Sequence, residues 1–411
     1  MSACVWYLCK YAAFPEARLG GTRGFMLMRE MVRMGHRVVM VTSDSNHLTV
    51  PPRFDGRRLK RVIDGVDVIW LKTLKFQTAK SFRRILSWLH FEWNLWRMPL
   101  RDLPRPDVII VSSLSLLTIF NGLRLRQRYG CRLIFEVRDI WPLTIIEEGG
   151  FSPRNPFVMG LRWIEKLAYR RADAIVGTMP NLGRHVAESV ARHPPVFCIP
   201  MGVDPDMLDN AVPAPPEWIQ TYLPPGKFIV CHAGTIGITN ALETLFECAR
   251  NMKAHTDVHF LIVGEGDLRP EYQAECADLS NVTFTGPVPK DMVQSVLGHC
   301  DLLYFSVHPS KVWKYGLSLN KVIDYMLAGK PVVASYTGYP TMVDEAGAGT
   351  AVPAGDAPAL KAEILRLKAL PEAERAELGE RGRRWLLQNR GFRQLASAYL
   401  DLALPPKRRP E

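Results

Sequence analysis

The residues from Asn320 to Ala334 read N-K-V-I-D-Y-M-L-A-G-K-P-V-V-A and predict a helix followed directly by a buried strand. The helix is expected over 321–327, with Gly329 ending it and Pro331 leading into the strand. Ligands of open α/β sheets bind outside the carboxyl ends of the strands, where the residues before such a helix lie. We therefore expect a binding site here, and a nucleotide is the ligand that fits this place.

Two adjacent glycines, Gly20 and Gly21, follow the first predicted strand and precede a helix predicted over 22–34. Glycine lets the backbone approach a ligand closely, and a helix N-terminus offers N–H groups to phosphate or sugar oxygens. The spacing is not that of the dinucleotide-binding motif G-x-G-x-x-G. The pair therefore indicates either a ligand-binding turn or a simple turn from strand to helix.

Short apolar runs alternate with helical stretches along the chain, which predicts an α/β protein with parallel sheets built from βαβ units. The strands are expected at 4–11, 37–43, 66–71, 107–113, 131–137, 174–178, 228–232, 259–263, 282–285, 302–305 and 331–335. Prolines crowd residues 209–227, which suits a connection between domains. We expect an N-terminal domain over 1–208 and a C-terminal domain over 209–390.

Composition narrows the class of protein. The eight cysteines are dispersed and lack the spacing of a zinc site or a disulfide framework, which predicts reduced thiols in a cytosolic protein. No leader peptide and no apolar run of spanning length is evident, so we expect neither secretion nor a membrane span. Residues 1–200 carry 31 Lys/Arg and 16 Asp/Glu, a net +15, against 21 and 25, a net −4, in 201–411. The basic field of the first half suits nucleic acid, anionic lipid or a pyrophosphate.

An aromatic and basic segment lies between Leu71 and Pro106. Its apolar residues recur at helical spacing and include Phe82, Ile85, Trp88, Leu89, Trp93 and Trp96. Its basic residues are Lys72, Lys75, Lys80, Arg83, Arg84, Arg97 and Arg101. This composition predicts an interfacial helix on an anionic membrane, with Trp88, Trp93, Trp96, Arg83 and Arg84 as contacts. The alternative is a core helix packed on the sheet, and both can hold in part. No nucleic-acid recognition module appears, so we expect no nucleic-acid partner.

Further motifs follow one another in a recognisable order. They are G-H-R-V-V-M-V-T (35–42), I-P-M-G-V-D (199–204), F-L-I-V-G-E-G (260–266), N-V-T-F-T-G-P-V (281–288) and D-L-L-Y-F (301–305). Together with Asn320–Ala334 they resemble the retaining glycosyltransferases of family 4. The resemblance implies the GT-B fold, two Rossmann-like domains whose parallel sheets face across a cleft, with the C-terminal helix 391–403 packing back on the first domain. Residues 315–332 and F-E-V-R-D-I-W-P (135–142) resemble the subgroup that transfers amino sugars such as N-acetyl-L-fucosamine in bacterial surface-polysaccharide assembly.

The resemblance implies a UDP-sugar as donor. Asp324 falls at the second carboxylate of the family's E-x7-E motif, which accepts hydrogen bonds from the ribose, and the stretches 263–266 and 286–288 fall at the base pocket. The residues expected to contact the nucleotide sugar are Gly21, Gly234, Thr235, Gly264, Glu265, Gly266, Pro287, Val288, Ser318, Leu319, Asn320, Lys321 and Asp324.

Two departures from the family pattern concern the donor. Gly316 stands where the first carboxylate is expected, so the grip on the donor sugar must differ. Thr235 and Asn240 stand where a paired Arg and Lys neutralise the diphosphate. We expect Lys321 to supply the missing charge as a catalytic residue, because a diphosphate leaving group needs cations or N–H donors. The alternative is that Lys321 is a surface lysine.

On the acceptor side, Arg138 and Asp139 end a predicted strand. Asp139 is the candidate general base and Arg138 a candidate for holding acceptor phosphate; the alternative is that Asp139 caps the following turn. The triplet Asp204-Pro205-Asp206 is not expected to bind metal, and neither a metal nor a cofactor is predicted. The expected acceptor is a sugar on polyprenyl pyrophosphate, and the expected location is the inner face of the cell membrane. A UDP-sugar 2-epimerase and a non-catalytic sugar-binding protein are the alternatives.

Overall fold

The computed structural model describes residues 2–14, 22–46, 50–76, 82–113, 115–204 and 206–404. Four residues considered above, namely Gly20, Gly21, Lys80 and Pro205, lie outside these ranges. Of Phe82 and Asp206 only the backbone is described. The chain divides into two compact units, Met1–Gly202 with Phe392–Glu411 and Val203–Gly391. The division falls between residues 202 and 203, slightly before the boundary expected from the proline-rich stretch.

The first unit is built on an eight-stranded sheet of order β3-β4-β2-β1-β5-β6-β7-β8. Its strands are β1 (Cys4–Leu8), β2 (Arg37–Ser43), β3 (Arg58–Ile63), β4 (Val66–Leu71), β5 (Val108–Ser112), β6 (Arg132–Val137), β7 (Ala174–Gly177) and β8 (Val196–Cys198). All neighbours pair in parallel except β3, which runs antiparallel to β4. β1 and β5 are buried throughout, as strands covered by helices on both faces must be.

The helices of the first unit follow the βαβ rhythm. They are α1 (Arg23–Arg33), α2 (Phe82–Trp96), α3 (Thr118–Tyr129), α4 (Leu143–Glu147), α5 (Pro156–Arg171) and α6 (Leu182–Ser189). A buried ion pair fixes α1 to the sheet, because Arg23 Nη1 lies 2.7 Å from Glu136 Oε1 in β6. Arg23 also donates to the carbonyl oxygens of Ile199 (2.6 Å) and Pro200 (2.9 Å), so α1, β6 and the end of the unit are joined through one side chain.

The second unit carries a six-stranded, fully parallel sheet of order β11-β10-β9-β12-β13-β14. Its strands are β9 (Phe228–Ala233), β10 (Val258–Val263), β11 (Val282–Gly286), β12 (Leu302–Ser306), β13 (Val332–Ser335) and β14 (Gly349–Val352). β9, β10 and β12 are buried throughout and form its centre.

The helices of the second unit are α7 (Asp206–Asp209), α8 (Pro216–Tyr222), α9 (Glu243–Asn251), α10 (Arg269–Glu275), α11 (Val293–Gly298), α12 (Asn320–Leu327), α13 (Met342–Ala346), α14 (Ala357–Ala369) and α15 (Glu372–Asn389). Short 3₁₀ helices occupy Ile238–Asn240, Lys290–Met292 and Lys311–Tyr315. The helix predicted over 321–327 is α12, which begins one residue earlier. The 3₁₀ helix Lys290–Met292 leads directly into α11.

The last helix, α16 (Phe392–Ala403), packs against the first unit. Its buried side chains, among them Leu395, Tyr399 and Leu400, share one apolar cluster with Phe25 and Met28 of α1. Gly202 lies against this helix, and a Cβ there would come within 2.6 Å of the Phe392 ring.

Candidate active site

Three glycine-containing loops meet at the carboxyl ends of β9, β10 and β11. The N–H of Gly234 donates to Val263 O (2.9 Å), and the N–H of Gly264 donates to Gly286 O (2.9 Å). A Cβ on Gly264 would stand 1.8 Å from the carbonyl oxygen of Gly234, and the φ of Gly264 is +145°. Only glycine fits at such a position, so Gly264 is required for the packing of these loops whether or not it touches a ligand.

Lys321 lies at the start of α12 with its amine directed at the loop after β9. The amine donates to the side-chain oxygen of Asn240, and a Cβ on Gly234 would lie 3.3 Å from the Lys321 nitrogen. The Asn240 side-chain nitrogen donates in turn to Thr235 O at 2.8 Å. The structure therefore brings together Thr235, Asn240 and Lys321, the three residues expected around the diphosphate, beside Gly234.

The charge of Lys321 is poorly solvated. Burial lowers the pKa of its amine to about 7. The neighbouring His232 is fully buried in β9, and burial, followed by the nearby Lys321 charge, holds the pKa of its ring well below the usual range. His232 is therefore neutral beside Lys321, whose amine is protonated below pH 7.

The first turn of α12 adds N–H groups to the same place. Leu319 precedes the helix and gives no side-chain cap to the turn. The side chains of Ser318 and Leu319 are half-buried and Asn320 is exposed. An uncapped helix N-terminus and a cation next to it form the arrangement that binds phosphate oxygens.

Asp324 occupies the next turn of α12, and its carboxylate is held by a lysine that the sequence analysis missed. Lys290 Nζ donates to both carboxylate oxygens at 2.6 Å. Burial raises the pKa of Asp324, while Lys290 acts in the opposite direction. The signal for Lys290 was its position in P-V-P-K, directly after β11, where another strand end contributes to the same edge.

Gly316 has a backbone conformation that disfavours a glutamate. It follows the 3₁₀ helix Lys311–Tyr315 with φ of +115°, in the left-handed half of the map. The missing first carboxylate is thus accompanied by a local fold in which that side chain would be strained.

The remaining predicted donor contacts are more exposed: Glu265 pairs with Arg269 at 2.6 Å, Pro287 is exposed and Val288 is half-buried.

In the first unit, Asp139 follows β6 and organises the turn after it. One carboxylate oxygen accepts from Trp141 Nε1 (2.7 Å) and the other from Thr144 Oγ1 (2.5 Å). Burial raises the pKa of Asp139. Arg138 is half-buried, and its backbone N–H donates to Ser113 Oγ at 3.1 Å. These hydrogen bonds within the turn agree with the interpretation that Asp139 caps it.

A polar cluster at the carboxyl ends of β1, β2 and β4 was not predicted. Asp44 accepts from the Thr73 N–H (2.7 Å) and from Lys75 Nζ (2.9 Å). Lys10 is fully buried and donates to Ser45 O at 3.1 Å. Burial lowers the pKa of Lys10 to about 7. A lysine inside the apolar run Y-L-C-K-Y-A-A-F was the available signal.

Helix α2 is apolar on two opposite faces. The buried face carries Trp88, Phe91 and Leu95, and the other exposes large apolar side chains, namely Leu86, Leu89, Trp93 and Trp96. The prediction that Trp88 contacts a membrane is wrong, because Trp88 is only 4% exposed and donates through Nε1 to Tyr11 Oη at 2.7 Å. Trp93 and Trp96 are 57% and 50% exposed.

The basic contacts predicted on α2 differ in exposure. Arg83 is exposed, whereas the guanidinium of Arg84 is half-buried and lies over the rings of Tyr11 (5.7 Å) and Trp88 (5.5 Å). In the part of the chain that the structure describes, no helix has both the length and the apolar composition needed to cross a membrane. Among the same residues, no three His, Cys, Asp or Glu side chains form a group that could hold a metal ion.

Solved structures of similar fold cover almost the whole chain. Sucrose-phosphate synthase from Thermosynechococcus elongatus is 18% identical, with a TM-score of 0.71 over 97% of this chain and 98% of that one. HepE of Anabaena, in complex with UDP and glucose, is 15% identical, with a TM-score of 0.64 over 97% and 98%. WaaG, a glycosyltransferase involved in lipopolysaccharide biosynthesis, is 15% identical, with a TM-score of 0.66 over 98% and 100%.

Two family models match the chain, one in each unit. Residues 21–202 match the model described as glycosyl transferase 4-like domain, and residues 227–369 match glycosyl transferases group 1. No curated protein matches the sequence. The two matched ranges together take in most of the chain, and with the fold they identify it as a glycosyltransferase of the GT-B fold.

Proposed function

We propose that this glycosyltransferase moves an acetamido or deoxyamino hexose from UDP to a hydroxyl group of a sugar carried on polyprenyl pyrophosphate. The observation that carries the proposal is the Lys321 amine, held beside Gly234 and Asn240 at the start of α12. UDP departs with a diphosphate charge, which this cation and the first N–H groups of α12 would stabilise. The UDP in the HepE complex supports the choice of nucleotide.

The proposed transfer retains configuration at the anomeric carbon. The bond from that carbon to the UDP oxygen breaks, and the bond to the acceptor oxygen forms on the same face of the sugar. The acceptor proton passes to the departing phosphate oxygen, so that no bound metal and no cofactor enters the step. Asp139 then positions the acceptor-side turn, because both of its oxygens already accept hydrogen bonds from Trp141 and Thr144. Arg138 is the proposed contact for acceptor phosphate.

On the donor side, Asp324 is proposed to accept hydrogen bonds from the ribose. Lys290 donates to both carboxylate oxygens in the structure, so the ribose hydroxyl groups must either share the carboxylate with this lysine or displace it. Gly264, Gly266 and Val288 are proposed to line the base pocket with main-chain groups. Because Gly316 leaves no carboxylate for the sugar, Ser318 and Asn320 are the proposed donor-sugar contacts.

The proposed location is the inner face of the cell membrane, where lipid-linked acceptors would be met. The support is an exposed apolar surface across three helices of the first unit. Trp96 of α2 lies 4.4 Å from the Arg124 guanidinium of α3, and Phe120 of α3 stacks with the 61% exposed Trp163 of α5. Aromatic side chains surrounded by basic residues favour the lipid headgroup region. The part that WaaG takes in lipopolysaccharide biosynthesis agrees with this setting.

UDP release from a panel of UDP-sugars tests the proposal. We expect release from a UDP-linked acetamido or deoxyamino hexose only when a detergent-dispersed polyprenyl-pyrophosphate sugar is present, and no effect of EDTA. Turnover of the UDP-sugar without acceptor would instead favour the 2-epimerase. Release that is lost in EDTA and restored by Mg²⁺ would contradict the metal-independent step.

A further inference from the structure

A pocket of about 610 Å³ opens beside the exposed face of α2 in the first unit. The start of β3, the end of β4 and the last turns of α2 form its walls. Its cationic lining residues are Arg57, Arg58, Lys72 and Arg97, with His90, Asn94 and Trp93 between them. None of the described residues that line it is acidic. The pocket is therefore a concentrated positive site that is separate from the residues assigned to sugar transfer.

The lysine and arginine side chains of the pocket contact mainly uncharged groups, so their positive charge is not neutralised. Lys72 Nζ donates to Phe54 O at 3.0 Å, and Arg58 Nη1 donates to Pro99 O at 3.2 Å. The Arg97 guanidinium lies 5.5 Å from the centre of the Trp93 ring. Arg58 also faces Asp102 at 3.4 Å, but that carboxylate is 76% exposed and stabilises the charge weakly.

His90 contributes a donor to the same pocket. Its Nδ1 accepts from the Leu74 N–H at 3.0 Å, which fixes the proton of the neutral ring on Nε2. Asn94 Nδ2 donates to Lys72 O at 2.7 Å and so ties α2 to the end of β4. Residues of three elements that can donate hydrogen bonds thus line one cavity, which is the composition of an anion site with several oxygens to bind.

We propose that this pocket binds the phosphate group of an anionic lipid headgroup and so orients the enzyme on the membrane. The pocket wall includes Trp93, which is exposed on the apolar stripe of α2, so a headgroup here would have its acyl chains beside that stripe. A free phosphate ion would pair with the cations but would leave the exposed apolar side chains of α2 in contact with water. The inference rests on the proposed membrane association and adds a saturable, chemically selective contact to it.

The test compares Arg57→Gln/Arg97→Gln with Arg61→Gln/Arg192→Gln, a control that removes two exposed positive charges elsewhere in the same unit. Sedimentation is measured with phosphatidylcholine vesicles containing one-fifth phosphatidic acid, in about 0.5 M NaCl, where diffuse attraction between charges is screened. We expect wild type and control to bind saturably, with the control within about threefold, and the pocket variant to bind at least about tenfold more weakly.

Two further arms identify the source of the phosphate. Water-soluble dihexanoyl phosphatidic acid should bind the wild type in the pocket and displace it from the vesicles. Inorganic phosphate should displace it only weakly. Equal losses in the two variants, or inorganic phosphate binding as tightly as the lipid, would overturn the proposal. UDP affinity in detergent, a property of the second unit, should be unchanged in the pocket variant, so failure here is distinct from failure of the sugar-transfer proposal.

Discussion

Two lysines lie at the carboxyl-end edge of the sheet in the second unit, and their partners differ. Lys321 donates to the neutral amide oxygen of Asn240, whereas Lys290 donates to the carboxylate of Asp324. The charge of Lys321 is therefore available to a diphosphate, while that of Lys290 is balanced within the protein. The assignment of leaving-group stabilisation to Lys321 follows from this contrast.

Removing the Lys321 charge should weaken UDP binding. Lys321→Met removes a charge-assisted hydrogen bond worth about 1.5–3 kcal/mol, which corresponds to a loss of roughly 10- to 150-fold in affinity. Titration calorimetry with UDP measures it. Lys253→Met is the matched control, because Lys253 pairs with the exposed Asp278 on the surface of the same unit. Equal affinities of wild type and Lys321→Met would show that Lys321 does not meet the diphosphate.

The depressed pKa of Lys321 predicts a pH dependence of UDP binding. The free enzyme holds this pKa at about 7, and a bound diphosphate favours the charged amine and raises it. Below pH 7 the amine is already protonated; above it, binding takes up a proton and affinity falls, by up to about tenfold per pH unit.

Calorimetry in two buffers of different ionisation enthalpy should detect this proton uptake between pH 7 and 9. Ionisation of UDP itself changes affinity in the opposite sense and is removed by comparison with Lys321→Arg. The arginine stays charged throughout this range. Identical pH profiles for the wild type and Lys321→Arg would contradict the depressed pKa.

At the scale of elements, the loops after β9, β10 and β11 form one layer joined by main-chain hydrogen bonds. The contact of Gly264 with the Gly234 carbonyl leaves no space for a side chain. The loop that holds Lys321 through Asn240 is therefore fixed by the loop after β10. Donor binding should depend on this layer even where its glycines do not touch the nucleotide.

Gly264→Ala should destabilise the second unit and weaken UDP binding together. A Cβ 1.8 Å from a carbonyl oxygen must displace the loop, at a free-energy cost of about 3 kcal/mol or more, which is about 6–12 °C in Tm for a unit of this size. Gly298→Ala in α11 is the control, because nothing lies within 4 Å of its Cβ. Differential scanning calorimetry with and without UDP compares them. Similar Tm values for the two variants would contradict the packing role of Gly264.

The sequence predicted the buried strands well, because their apolar runs are continuous and bounded by helices. It did not predict β3, R-L-K-R-V-I, since an edge strand rich in charge carries no apolar run. Periodicity could not separate Trp88 from Trp93, because α2 is apolar on both faces and only packing shows which face is covered.

The candidate site was predictable where its residues lie in one motif, as Lys321 and Asp324 do in α12. Lys290 and Lys10 were missed because their partners lie far away in the chain, at 34 and 35 residues. Such pairs form only when parallel strands bring their carboxyl ends to one edge. The positive φ of Gly316, in which a glutamate would be strained, was likewise not predictable from the residue types.

At the scale of the whole molecule, charge and apolar exposure are concentrated in the first unit. Residues 1–200 carry a net +15 from 31 basic and 16 acidic residues, and the exposed tryptophans Trp93, Trp96 and Trp163 belong to the same unit. The second unit carries the glycine loops and the donor-side lysines. This division agrees with the proposed roles of the two units, the first facing the membrane and the acceptor and the second binding the nucleotide sugar.

The most direct test of the central claim is the identity of the product. The purified enzyme would be incubated with a ¹³C-labelled UDP-linked acetamido or deoxyamino hexose and a polyprenyl-pyrophosphate sugar, and the lipid product analysed by mass spectrometry and NMR. We predict one added sugar on the lipid, with the anomeric configuration of the donor, and formation of that product at least about tenfold more slowly with Lys321→Met. A lipid that gains no sugar from any UDP-linked hexose, or that gains one with inverted configuration, would contradict it.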